Sequence, residues 1–425
     1  MIHQDSSAYL LVVPVASYRT GPQQFAIEGP FLEHLILLKE KLGAMGKNMV
    51  LVAPNMSQQS YEARKHGMVV VDEALQGIRF CGMFPADLNT MGYWKRLPRI
   101  FAELKQEIRS ATVVHAGPSV LYYPFEFLAL AIGKYYGKIT ISVTDIDHRE
   151  TARMNFTTGK WSRKQYLVTR LLHDTWRHLQ HLVAAKYFSL VMLKGTEMVR
   201  RYGKNRTNVK YILDAAFNQS HVISEEQAQE KISVLSNPTN PVELVYFGRL
   251  VEYKGIEHML QAVHFARSKG ANVRLHIIGE GPQRTNIEQC AERLDLGKSL
   301  VMHGEIPFGA GLFSKLYAMH ILLAAPLSQD TPRSALDAMA SAQSVIAYDT
   351  YYYRELAEQG APISLVLWLD KEAMGEKIVE LAANRQSLIA NVPRAIQFAS
   401  KNTQEIWLER RVGWVRALTG SAARG

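Results

Sequence analysis

Between residues 321 and 348 the chain reads as strand, polar loop, helix and strand, and that order admits few folds. The run ILLAA at 321–325 is continuously apolar, as a strand covered on both faces must be. Residues 328–331 (SQDT) are polar, and Pro332 sits where a first helical position is expected. Good helix formers dominate 335–340, and SVIAY at 344–348 reads as the next strand. A helix that starts beyond the C-terminal edge of a parallel sheet presents free N–H groups and its dipole to an anion. The polar loop in front of it faces the ligand. The expectation is a ligand that carries phosphate.

The same βα rhythm fills the chain. In the first half strands are expected at 9–15, 48–53, 68–71, 77–83, 112–115 and 138–143, with helices at 25–42, 93–110 and 118–136. Further strands are expected at 189–194 and 208–213. Residues 236–241 (SNPTNP) hold two prolines and no periodicity, which marks a linker. Beyond it the pattern restarts: strand 242–247, helix 254–269, strand 273–278, helix 282–294, strand 300–303, helix 311–319 and strand 320–325. Alternation of this kind gives doubly wound parallel sheets. Two such sheets joined by a short linker leave a cleft, a usual place for a ligand. The last stretch, 393–418, is helical by composition and carries Trp407 and Trp414.

At 425 residues the chain is long enough for two or three domains. Cys81 and Cys290 are the only cysteines, so neither a disulfide framework nor a cysteine metal site is expected, and a reducing cytoplasm fits. The apolar stretch at 10–15 is too short for a signal peptide, and no run approaches the roughly 20 apolar residues that span a bilayer. The net charge of +10 is concentrated: residues 151–210 hold 13 Lys and Arg against Asp174 and Glu197, a local charge of +11 that leaves the other residues at −1. From 161 to 188 Tyr166, Leu167, Leu171, Leu172, Leu179, Leu182 and Val183 recur at helical spacing among the bases. A basic amphipathic helix suits an anionic membrane surface or a lipid-diphosphate acceptor. A helix packed on its own domain with a solvated basic face reads equally well. No nucleic-acid recognition module is visible.

Four places in the second half have phosphate or nucleotide character. In FGRLVEYKG, at 247–255, Gly248 lets the backbone turn, and Arg249 and Lys254 are cations suited to a diphosphate or simply bases on a βα loop. In IIGEGP, at 277–282, Glu280 and Gly281 follow a strand, but Arg284 stands where a dinucleotide loop needs its third glycine, so a tight turn fits as well as ligand contact. The strand exit MHGEIPFGAG, at 302–311, sets Glu305 and Ile306 where a flat base can lie close to glycine. On the opening segment, Asp337 follows Arg333 by one helical turn and can reach a ribose hydroxyl, or can form a surface pair with that arginine.

In this order and spacing the four elements resemble the donor-binding domain of the retaining family 4 glycosyltransferases, over about 242–358. The resemblance implies an α/β fold with two Rossmann-like doubly wound parallel-sheet domains facing a cleft, known as GT-B. It implies an acceptor-binding domain at 1–235 containing the basic helical segment 151–210, a nucleotide-sugar domain at 236–395, and a helical tail at 396–425 that packs back on the first. Arg249 and Lys254 look like the family's diphosphate cations. Asp337 falls where the second Glu of the E-x7-E motif holds the donor ribose, and Gln329 falls where the first Glu contacts the donor sugar. Gln keeps hydrogen bonds but loses the charge; Asp330 stands next to it. Ser334 and the backbone from Thr331 cap the phosphate in this scheme.

The first half departs further. Gly21 matches the place of the family's glycine-rich loop without its paired glycines. Thr144 takes the position of an expected His, and His148 follows four residues later as a candidate for the cleft or a solvated loop residue; His115 is a second candidate that reads as structural. The resemblance implies a retaining hexosyltransferase that moves a sugar from a nucleoside diphosphate sugar to a glycan or lipid-linked glycan, with no metal cofactor and no nucleic-acid partner. Its implied setting is cell-surface polysaccharide synthesis in the cytoplasm, peripheral at the inner face of the membrane. A sugar-nucleotide epimerase of the same shape and a non-catalytic sugar-nucleotide-binding subunit are the alternatives, the latter motivated by Gln329 and Thr144.

Overall fold

The computed structural model describes residues 8–43 and 48–422. The chain divides into two compact units. One comprises Met1–Asp145, Leu167–Ile212 and Leu408–Gly425; the other comprises Ile146–Tyr166 and Leu213–Trp407.

The first unit is built on a seven-stranded sheet, in the order Val209–Ile212, Leu190–Lys194, Ile139–Thr144, Ala111–Ala116, Ala8–Val12, Asn48–Asn55 and Ile78–Pro85. Every pairing in it is parallel, with Leu10 opposite Val50 and Val114 opposite Thr140. Strands Ala8–Val12 and Leu190–Lys194 are buried along their whole length, which suits their apolar runs AYLLV and LVML. Helices Thr90–Ser110 and Phe125–Tyr135 cover the sheet through Tyr93, Ile100, Leu104, Ala129 and Leu130.

Two expectations for this unit need correction. Residues 25–28 are not the start of a helix: Gln24–Glu28 is a strand that pairs antiparallel with Tyr18–Gly21 and with Met68–Asp72, and the helix begins at Gly29. Phe25, Ala26 and Ile27 are all buried there, so three consecutive apolar residues pack on both faces of a small sheet rather than along one helical stripe. The strand at 68–72 accordingly belongs to this three-stranded sheet and not to the main one. The helix expected over 118–136 begins only at Phe125, because Pro124 precedes it and cannot continue a hydrogen-bonded turn.

The second unit carries a six-stranded parallel sheet in the order Leu300–Gly304, Val273–Ile278, Val242–Phe247, Ile321–Ala324, Ser344–Tyr348 and Ile363–Val366. The last of these was not anticipated from the sequence. Helices Ile256–Ser268 and Lys371–Ala383 bury Met259, Leu260, Val263, Met374 and Ile378 against Leu244, Leu275, Leu323 and Ile346. Lys231, on helix Glu225–Ser236, is buried, and its Nζ donates to the carbonyls of Met319 and Ser341, both at 2.6 Å. These carbonyls lie just past the ends of helices Ala310–Tyr317 and Ser334–Ala340, where a cation complements the dipole. Burial nonetheless pushes the ammonium down to about 7. The C-terminal residues form helices Arg385–Ser400 and Gln404–Ala422.

Candidate functional site

A parallel sheet delivers the ends of adjacent strands to one edge, and in the second unit four of them carry the residues singled out above. Their loops are stitched together through the main chain. Gly248 donates to Ile278 at 2.9 Å, Gly279 donates to Gly304 at 2.7 Å, and Leu250 donates to Glu280 at 2.9 Å. The glycines are there because the loops touch. A Cβ on Gly279 would stand 2.0 Å from the carbonyl oxygen of Gly248, and one on Gly281 would stand 2.4 Å from that of Leu250. Gly255 has φ +65°, and its Cβ position lies 2.0 Å from the carbonyl oxygen of Ala325. The turn at 252–255 therefore lies directly on the end of strand Ile321–Ala324.

That contact places Lys254. Leu327 donates to the carbonyl of Tyr253 at 2.8 Å, and the Lys254 ammonium pairs with the Asp330 carboxylate. Both side chains are mostly buried. The ammonium also lies 5.3 Å from the ring centroid of Tyr253. Arg249 points into solvent and forms no ion pair among the described residues; its carbonyl accepts from Tyr246 Oη at 2.8 Å. Lys254, Asp330, Ser334, Tyr246 and Tyr353 line one small cavity.

The loop and helix after strand Ile321–Ala324 differ in detail from expectation. The helix is Ser334–Ala340, so Pro332 precedes it by two residues, and Arg333 is its N-cap without a side-chain cap bond. The residue after Pro332 already has helical angles but no i−4 donor bond to complete a turn. Tyr352 Oη ties the loop down by donating to the Pro332 carbonyl at 2.9 Å. Asp337 is 5% exposed, and its Oδ1 has no hydrogen-bond partner. Desolvation pushes its carboxyl up to about 7, opposed by the Arg333 guanidinium. The Oε1 of Gln329 is likewise buried without a partner.

The structure thus brings Gly248, Arg249, Lys254, Glu280, Gly281, Gln329, Asp330, Thr331, Ser334 and Asp337 to one edge of the sheet. Glu305 and Ile306 follow strand Leu300–Gly304 on the same edge. Glu280 is engaged by Arg284, the residue at the missing glycine position, which also donates to Glu288 at 2.9 Å. His148 opens helix His148–Thr157 of the second unit, capped by Asp147, whose carboxylate accepts from Arg149 N at 3.0 Å. Gly21 and Thr144 belong to the first unit. Gly21 stands at the end of the Tyr18–Gly21 strand, beside the hairpin turn, rather than in a loop between strand and helix. Thr144 ends strand Ile139–Thr144, buried with Oγ1 unpartnered. His115 is half-buried with Nδ1 2.6 Å from Tyr9 Oη, and desolvation pushes it down to about 3, toward the neutral form.

Sequence reasoning missed two features here. One is the Lys254–Asp330 pair, which joins positions 76 apart and leaves no local signal. The other is that residues 146–166 belong to the second unit, although they follow a strand of the first. Within it, Arg153 lies over the Trp368 ring at 5.9 Å, while Trp368 Nε1 donates to the Pro326 carbonyl at 2.9 Å.

Comparison with known proteins agrees with this architecture. Residues 227–395 match the family Glycosyl transferases group 1. A 2-deoxystreptamine N-acetyl-D-glucosaminyltransferase from Streptomyces fradiae is 25% identical over 207 residues, covering 47% of this chain and 49% of that one. The chain therefore spans about half the length of this curated relative. Among solved structures, Anabaena HepE in complex with UDP superposes with a TM-score of 0.62 at 13% identity, over 96% of this chain and 99% of that one. Sucrose-phosphate synthase from Thermosynechococcus elongatus gives 0.65 at 14% identity, over 98% and 100%. The chain has the fold of these proteins, with two Rossmann-like domains, and its second unit carries a glycosyltransferase group 1 domain.

Proposed function

Because residues 227–395 form a glycosyltransferase group 1 domain, we propose that the chain is a retaining glycosyltransferase that uses a nucleoside diphosphate sugar and acts on a glycan or lipid-linked glycan. The observation that carries this reading is Asp337, a buried carboxylate with an unpartnered oxygen, one helical turn behind the loop of the Lys254–Asp330 pair. A buried carboxylate oxygen without a donor is costly, and a ribose hydroxyl supplies one. Lys254 and Arg249 take the charge of the diphosphate, with Ser334 and the backbone from Thr331 beside them. As the bond to the sugar breaks, the leaving diphosphate gains charge and the sugar becomes oxocarbenium-like; the cations stabilise the first. Gln329 offers its unpartnered amide oxygen to a sugar hydroxyl. Glu305 and Ile306 border the base, and His148 serves the acceptor side.

Thermal unfolding in the presence of UDP, GDP, ADP, dTDP and CMP tests the reading; UDP heads the panel because it is bound in the HepE structure. A ligand at about 100 times its dissociation constant adds roughly 2.7 kcal/mol to the folded state. One diphosphate is expected to raise the melting temperature of the wild type and not of Arg249→Ala. No shift with any of them removes the proposal. The two cations make a metal unnecessary, so EDTA should leave the transfer rate unchanged; a rate restored only by Mg2+ or Mn2+ would contradict this. The charge lost at Gln329 favours a second reading, a binding subunit without turnover: Gln329→Glu that gains no transfer supports it.

The setting we propose is cell-surface polysaccharide synthesis, with the protein peripheral to an anionic membrane. Support comes from helix Asp174–Tyr187 and the residues before it, where Leu171 is 69% exposed and Leu167, Leu172, Leu179 and Leu182 are exposed among Arg and Lys. No helix among the described residues is long and apolar enough to cross a membrane.

A further inference from the structure

The second unit holds a cavity of about 230 Å³ that the nucleotide reading does not use. Asn155, Thr158 and Lys160 line it from one side, and Glu252, Tyr253 and Ser328 from the other. It shares no lining residue with the cavity of Lys254, Asp330 and Ser334, although Tyr253 and Ser328 sit in the same two turns. Four of its wall residues, Asn155, Thr158, Gly159 and Lys160, lie outside the stretch matched by the transferase family. Asn155 is 8% exposed and Ser328 is 7% exposed, yet among the described residues neither side chain makes a hydrogen bond. Among the described residues the Tyr253 hydroxyl makes no hydrogen bond either. The only charges in the wall, Lys160 and Glu252, face each other at 3.7 Å and balance.

These features select a ligand class. The Lys160–Glu252 pair leaves the wall without net charge, so nothing in it selects an anion or a cation. An apolar group would strand the Asn155 amide and the Ser328 hydroxyl away from water, which is costly. A neutral ring whose hydroxyls both donate and accept satisfies an amide and two hydroxyls together. Drug-sized ligands take roughly 300–1,000 Å³, so 230 Å³ suits one ring and not an oligomer. We propose that this cavity is a saccharide subsite that holds one neutral pyranose unit of the acceptor glycan, distinct from the sugar being transferred. The proposal rests on the glycosyltransferase reading.

The test is saturation-transfer NMR on the full chain with the methyl glycosides of glucose, galactose, mannose and N-acetylglucosamine. At least one is expected to bind, and Asn155→Leu and Ser328→Val should each weaken it about tenfold by removing one buried hydrogen bond. The melting shift caused by UDP should be unaffected in Asn155→Leu, which also shows that this variant folds. Absence of any glycoside signal, with the UDP shift intact, overturns the subsite and leaves the nucleotide site standing. Absence of a shift with every nucleotide of the panel in the wild type overturns both. A signal unchanged in both variants places the sugar elsewhere and overturns the proposal. So does displacement by UDP-glucose but not by UDP, because the pocket would then belong to the donor.

Discussion

Asp337 sets the energetics of the site at the level of a single residue. In the folded chain its carboxyl titrates near 7, against an ordinary 3.8, because burial disfavours the charged form. A raised acid keeps its proton in the folded state after the unfolded chain has released it, so its cost to stability grows as pH rises from about 4 to 7 and is constant above. The ceiling is about 4 kcal/mol. Asp337→Asn should therefore gain more melting temperature over wild type at pH 8 than at pH 5, while its UDP-induced shift becomes smaller. A gain independent of pH would show that the carboxyl is already ionised in the folded chain at low pH. The residue stands at a position the sequence marks plainly, one helical turn after Arg333. Its isolation does not show in the sequence, since an i, i+4 Arg–Asp spacing reads equally well as a surface pair. Only burial of the helix on all sides separates the two.

At the level of elements, the strand exits are held by glycine. Gly279 has φ +141° and no room for a Cβ beside the Gly248 carbonyl. Gly279→Ala should cost 3 kcal/mol or more, combining a strained backbone with a clash that neither loop can relieve without losing its ladder bonds. Chemical denaturation would register this as a lower midpoint with an unchanged slope. Gly311, with nothing within 4 Å of its Cβ position, is the control and should tolerate alanine. Strands Ala8–Val12 and Ile321–Ala324 were readable because continuous apolar runs of this kind, AYLLV and ILLA, have few other uses. The hairpin of Tyr18–Gly21 and Gln24–Glu28 was not, because each strand is short and the second merges into a helix without a break. Ile363–Val366 was missed for a related reason: it is an edge strand, half-buried over three of its four residues, and lacks the apolar run of a central one. The cavity of Asn155 and Ser328 had no sequence signal, since its two walls lie far apart in the chain.

On the scale of the molecule, charge and exposed leucines are concentrated together. Residues 151–210 carry +11 of a net +10, and Leu171 and Leu172 are exposed within that stretch. Vesicles containing phosphatidylserine should retain the protein at low ionic strength and release much of it by about 0.5 M salt, as screening shortens the reach of the bases. Leu171→Asp/Leu172→Asp should bind less at every salt concentration. Equal retention on neutral vesicles would remove the electrostatic part of this account. The two units also differ in how they are strung along the chain: each is assembled from separate stretches, with 408–425 counted in the first and 146–166 in the second. Synthesis runs from one end to the other and domains tend to fold as they emerge. The first unit is thus begun first and finished last. While residues 213–407 are being made its sheet is complete but its final helical residues are still to come. A truncation before 408 should therefore yield a protein whose second unit still melts cooperatively while the first loses stability. Boundaries drawn at the linker alone should give fragments that refold only when mixed.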